Sequence, residues 1–73
     1  MANIKYDIEQ ELGIISKSAK GWNKELNLIS WNNREAKYDI RDWDEYHEKM
    51  GKGITLTKEE LINLKELLNN LDL

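Results

Sequence analysis

At Thr57 the apolar residues of this 73-residue chain change period. Before it, side chains alternate in twos; after it, leucines recur at three- and four-residue spacing. The first rhythm belongs to strands and the second to helices, and neither pattern can bury its apolar set in the other geometry. Sheet must therefore come first and helix last. Thr57-Lys58-Glu59-Glu60 marks the junction as a capping box, in which the threonine hydroxyl accepts from the third helical amide and Glu60 accepts from the cap amide. Leu61, Leu64, Leu68 and Leu71 follow, Ile62 and Leu67 widen the stripe, and no proline interrupts it. A helix over 58–71 is predicted.

Upstream, Ile4, Tyr6, Ile8, Gln10, Leu12 and Ile14 alternate with polar residues, which predicts one long strand over 4–15 with Gly13 as the place for a bulge or bend. Ser16 to Gly21 is a polar turn. A second strand over 22–32 sets Leu26, Leu28 and Ser30 against Asn27, Ile29 and Trp31. Asn32-Asn33-Arg34-Glu35 is the next turn, because adjacent asparagines tolerate the left-handed backbone such turns need. A third strand over 36–44 puts Tyr38 and Ile40 on one side and Lys37, Asp39, Arg41 and Trp43 on the other. A polar loop over 45–51 then leads to a short strand over 53–56. Gly51 and Gly53 bracket Lys52, where the backbone can turn sharply or admit a close approach. The expected fold is one α+β domain spanning 1–73, a curved four-stranded antiparallel sheet followed by one carboxy-terminal helix. The helix covers one sheet face, or meets its counterpart in a second chain, and the other face stays open.

A core this small rarely supplies more than ~3–5 kcal/mol unaided. With no cysteine and one histidine, disulfides are excluded and a zinc site is not expected, so a homodimer formed through helix and sheet is the expected source of extra stability. His47 reads as a loop residue without a second metal ligand at useful spacing. No apolar run approaches the ~20 residues of a membrane span, and Met1-Ala2-Asn3-Ile4-Lys5 lacks the order of a signal peptide. A cytoplasmic protein with no membrane partner is expected. Neither a glycine-rich phosphate loop nor a nucleophile framed by histidine is present, and Asp42, Asp44, Glu45 and Glu48 scatter over a strand end and loop. No catalysis, cofactor or small-molecule substrate is expected.

The net charge of −3 argues at first against a polyanionic partner. Between Lys17 and Lys52, however, eight basic residues face seven acidic ones, so the negative excess lies in the first strand and the helix. A basic groove can form in the middle if the sheet sorts the signs onto different faces. All three tryptophans, Trp22, Trp31 and Trp43, fall in that same stretch, interleaved with Lys20, Lys24, Arg34, Lys37 and Arg41. Cations tracking phosphates and aromatic faces accepting stacked bases are the chemistry of single-stranded nucleic acid, at about 1–3 kcal/mol per stacked base.

Tyr38-Asp39-Ile40-Arg41-Asp42-Trp43, a polar loop, then Lys52-Gly53-Ile54-Thr55-Leu56 and a capped helix resembles the single-stranded-DNA-binding domain of the transcriptional positive-cofactor (PC-type coactivator) family. Its compact bacterial YdbC-like members are also similar around Lys20-Gly21-Trp22, Lys24-Glu25-Leu26-Asn27-Leu28, Ser30-Trp31-Asn32 and His47-Glu48-Lys49-Met50-Gly51. The likeness covers roughly residues 20–68. It implies a homodimer with a curved sheet that binds unpaired DNA without strong sequence preference, in transcription regulation or in replication and repair, in a nucleoid-associated cytoplasmic setting. Regulation through the serine-rich amino-terminal tail of eukaryotic members is not carried over.

The candidate nucleic-acid-binding residues are Lys20, Trp22, Lys24, Trp31, Asn32, Arg34, Lys37, Arg41, Trp43, Lys49 and Lys52, with Trp31 and Trp43 expected on the open face. Single-stranded DNA is the expected ligand, and RNA is left open beside it. Arg41 between Asp39 and Asp42 also reads as a structural ion pair. The alternative is a protein-interaction module in which the same aromatic face recognises a polypeptide.

Overall fold

The computed structural model describes residues 4–73; the reading of Met1, Ala2 and Asn3 lies outside them. Four strands, β1 (Tyr6–Lys17), β2 (Asn23–Trp31), β3 (Lys37–Trp43) and β4 (Met50–Leu56), precede one helix, α1 (Lys58–Asn69). They form a single antiparallel sheet in the order β1-β2-β3-β4, with β1 and β4 as edges. The fourth strand starts at Met50, earlier than the 53–56 expected, because the preceding loop is only Asp44 to Lys49.

Local chemistry accounts for the junctions. Asn32 and Asn33 take φ values of 51° and 62°, and the Arg34 amide donates to the Trp31 carbonyl at 2.9 Å, the primed turn that suits twisted strands. The helix opens as the capping box requires, with the Glu60 amide donating to Thr57 Oγ1 at 3.1 Å and the Thr57 amide to Glu60 Oε1 at 2.8 Å.

The alternation expected of β1 does not survive along its length. Register shifts fall between Ile8 and Gln10, Glu11 and Gly13, and Ile14 and Ser16. Each extra residue reverses the phase of the strand and deepens its twist. Ile8 therefore opposes Ile29 on the helix-free face, while Gln10 opposes Leu28 on the other, and Glu11 opposes Asn27 back on the first.

On β2 and β3 the expected faces hold. Leu26 and Ile40 are cross-strand partners beneath the helix, and Asn27 pairs with Asp39, Glu25 with Arg41 and Asn23 with Trp43 on the opposite side. That opposite side is not the open surface expected. Its curl lays the Tyr6 ring 5.2 Å from the Trp43 ring, and Tyr6 Oη donates to the His47 carbonyl at 2.6 Å. Ile29 and Trp43, the fully buried apolar residues among those described, sit there with Asn27 and Asp39. The helix has no buried residue, and Ile62, Leu67, Leu68 and Leu71 stay exposed. Among the described residues, no helix is long and apolar enough to cross a membrane.

Candidate nucleic-acid interface

The helix-free face is built around Asp39, whose side chain is completely buried. Arg41 Nε and Nη2 donate to its two carboxylate oxygens at 2.6 and 2.9 Å, and Thr55 Oγ1 donates at 2.9 Å. A buried carboxylate is tolerable only with this kind of bidentate, hydrogen-bonded partner. Held there, the Arg41 guanidinium lies 4.7 Å from the centre of the Trp31 ring, a cation–π contact. Arg41 Nη1 reaches Met50 Sδ at 3.6 Å.

Gly53 makes the arrangement possible. It is the cross-strand partner of Arg41, and a Cβ in its place would collide with Arg41 Cβ and the Ile40 carbonyl oxygen. The close approach that the Gly51-Lys52-Gly53 bracket suggests is thus an approach by the chain's own Arg41.

Trp31, Asn32 and Arg41 come together at a recess of about 320 Å³ that Ile4, Met50 and Thr55 complete. Trp31 is half-buried, with Tyr6 tilted against it at 6.0 Å between ring centres. Ile4, Met50 and Thr55 are not among the binding residues expected from the sequence. Thr55 becomes visible only through its register opposite Asp39, and Met50 through its register opposite Trp43.

The other candidate residues do not join this recess. Trp43 lies on the expected face but has no exposed surface. It is packed between Tyr6 and His47, with ring centres at 5.2 and 5.6 Å, so its indole is part of the core and offers no plane to a ligand. Lys24 points to the helix side and pairs with Asp42 at 3.2 Å. Lys37 lies near enough to Glu60 to help hold that carboxyl low, although the Thr57 amide is the larger cause. Lys20 and the half-buried Trp22 belong to the β1–β2 turn, where the Trp22 amide donates to Ser18 Oγ at 3.1 Å. Arg34, Lys49 and Lys52 are exposed. The Asp44 carboxylate organises the β3–β4 loop by accepting the Glu48 and Lys49 amides, each at 2.8 Å. Those amide donors, Lys49 foremost, hold the Asp44 carboxyl below its ordinary value.

A protein of Treponema pallidum (strain Nichols), named only as an uncharacterized protein, is 48% identical over 68 residues, 93% of this chain and 80% of that one. Residues 18–67, from the β1–β2 turn through most of α1, match the family described as Transcriptional Coactivator p15 (PC4). The matched span holds the whole Asp39–Arg41–Thr55 arrangement, Gly53 and the capping box, and the chain accordingly belongs to this family of nucleic-acid-binding, non-enzymatic proteins.

Proposed function

We propose that the chain binds single-stranded DNA without sequence preference, as a homodimer, and acts in the cytoplasm on nucleoid DNA in transcription regulation or in replication and repair. The observation that carries this reading is the Trp31–Arg41 stack at the edge of the helix-free face, beside Asn32. An indole and a guanidinium plane held rigid at a recess are the surfaces on which unpaired bases stack. Lys20, Arg34, Lys37, Lys49 and Lys52 supply the field around it, and Lys24 adds positive charge from the helix side of the sheet. The Lys24–Asp42 pair is nearly half exposed on both sides, and such a surface pair is weak enough to yield to a phosphate.

The homodimer reading rests on the helix side. Leu61, Leu64 and Leu68 of α1 face Ile15, Leu26 and Ile40 across an apolar groove of about 440 Å³. A second copy would cover that groove together with the exposed leucines.

Titration with a poly-thymidine oligomer of about 20 nucleotides tests the proposal. Tryptophan emission should quench, affinity should fall steeply with rising salt as counterions are released, and duplex of the same length should bind more weakly. Trp31→Ala should weaken binding by about 1–3 kcal/mol in a chain that still folds. Unchanged emission at low salt would return the face to the recognition of a polypeptide. A matched RNA oligomer decides whether the ligand extends to RNA.

A further inference from the structure

Glu25 is a carboxylate only 4% exposed, and it lacks a permanent cation. Its cross-strand partner Arg41 turns its guanidinium to Asp39 instead. Glu25 Oε1 is met by His47 Nε2 at 2.8 Å and by Asn27 Nδ2 at 3.0 Å. A second carboxylate, Glu11, brings its Oε1 to 3.3 Å from the same histidine nitrogen. These three donor atoms lie within 4.8 Å of one another.

Asn27, 1% exposed, lines the same pocket of about 240 Å³ as Glu11, Glu25 and His47. Its Oδ1 is buried and has no hydrogen-bond partner, although buried polar groups are ordinarily satisfied. Two carboxylates and an imidazole around one small cavity form a ligand set, and the Asn27 amide, whose Nδ2 now faces Glu25, brings its oxygen to that set by turning over.

We propose that Glu11, Glu25 and His47, with the amide oxygen of Asn27, hold one divalent first-row transition cation of the zinc class. Oxygen and nitrogen ligands about 2.0–2.2 Å from a tetrahedral ion stand about 3.3–3.6 Å apart. The Glu11–His47 separation already fits, and the Glu25–His47 pair needs to widen by about half an ångström. Two carboxylates balance the charge of the ion, and an imidazole donor selects zinc-like cations over magnesium or calcium.

The fold makes a site that spacing along the chain conceals. Glu11 reaches it because the bulge after Ile8 reverses the strand phase, and His47 is presented by a left-handed backbone, φ 57°. A bound ion would tie β1 and β2 to the β3–β4 loop. The pocket shares no lining residue with the Trp31–Arg41 recess, so the proposal stands apart from nucleic-acid binding.

The test uses the untagged chain, stripped of metal by a chelator and titrated with zinc ions. Because the sequence holds a single histidine, long-range proton–nitrogen spectra report His47 directly, without a variant that might misfold. Nε2 should shift to completion at one equivalent, the melting temperature should rise with zinc concentration, and cobalt(II) in its place should give visible ligand-field bands. Glu25→Gln and His47→Gln should each weaken zinc binding by at least the ~10–100-fold typical of a lost supporting contact. Imidazole signals unmoved by excess zinc overturn the proposal. So does zinc affinity unchanged in both variants, which would place the ion on surface carboxylates.

Discussion

On the helix-free side of the sheet Trp43 and Ile29 lose all exposure and Asn27 and Asp39 are buried with them, whereas on the helix side Leu26, Leu28, Tyr38 and Ile40 are only half covered and Leu68 is 48% exposed. The aromatic, charged face is thus the packed one, and the aliphatic face is the one still lacking cover. Three bulges in β1 explain the inversion, since they roll that strand over its own sheet until Tyr6 reaches His47. A side chain placed on the ligand-binding face of a strand can therefore serve the core, and a leucine stripe can serve a partner.

Removing Trp43 should have the largest effect. Trp43→Ala leaves a cavity beneath Tyr6 and His47 and should cost about 3–5 kcal/mol, as much as a core of this size supplies. Urea denaturation should find the variant largely unfolded. A variant that keeps wild-type stability and loses only oligonucleotide affinity would break the contrast between the faces.

Arg41→Ala comes next. It strands the buried Asp39 carboxylate with Thr55 alone and should cost about 3 kcal/mol. Pairing Arg41→Met with Asp39→Leu removes both charges, so most of that stability should return while affinity for single strands stays low. This double variant sharpens the comparison by separating what Arg41 does for the fold from what it presents at Trp31. Recovery of affinity along with stability would make Arg41 purely structural.

On the helix side, Leu68→Glu should matter only through association. The residue is half exposed within one chain, so each chain should still fold, but burying a charge where a leucine belonged should weaken a dimer by about 1.5–3 kcal/mol per copy. Sedimentation should show the equilibrium moved to monomer at concentrations where the wild type is paired. An unchanged sedimentation coefficient would mean that the helix groove is not the seam.

Features that act within a few residues of chain could be read in advance. The capping box at Thr57, the paired asparagines at 32 and 33, and the alternation of β2 and β3 all follow from local geometry, and the structure has them in place. A curved sheet with a bulge at Gly13 could be read, but the extent of the curl could not, because it depends on every place where β1 accommodates extra residues against β2. Without it Trp43 looks like an exposed indole, and Leu12 takes the phase that Glu11 has. The grouping of Glu25 with His47, 22 residues away, needs both the curl and a histidine with positive φ. Strand alternation does put Trp31 and Arg41 on one face, but the β2–β3 register sets Arg41 opposite Glu25, six residues along β2 from Trp31, so their contact could not be read from pairing either.

The smallest expected effect concerns acid, and it probes one anchor on each side. Asp44 fixes the loop that carries His47, and Glu60 fixes the start of the helix. Both carboxyls are held below their ordinary values of 3.8 and 4.5, Asp44 chiefly by the Lys49 amide and Glu60 chiefly by the Thr57 amide. Because the folded value is the lower one, each contribution is complete above the ordinary value and disappears as pH falls through the depressed one. Asp44→Asn and Glu60→Gln should each flatten the decline of melting temperature below about pH 4.5. Amide exchange locates each effect, with Glu48 and Lys49 losing protection in the first variant and Thr57 in the second. Both groups lie at the surface, where water competes for the same amides, so the shifts should be slight. If neither variant alters the acid slope or its local exchange, these carboxyl–amide bonds do not hold in solution, and the loop that positions His47 over Trp43 depends on its backbone hydrogen bonds, the Tyr6 and Glu25 contacts and ring packing.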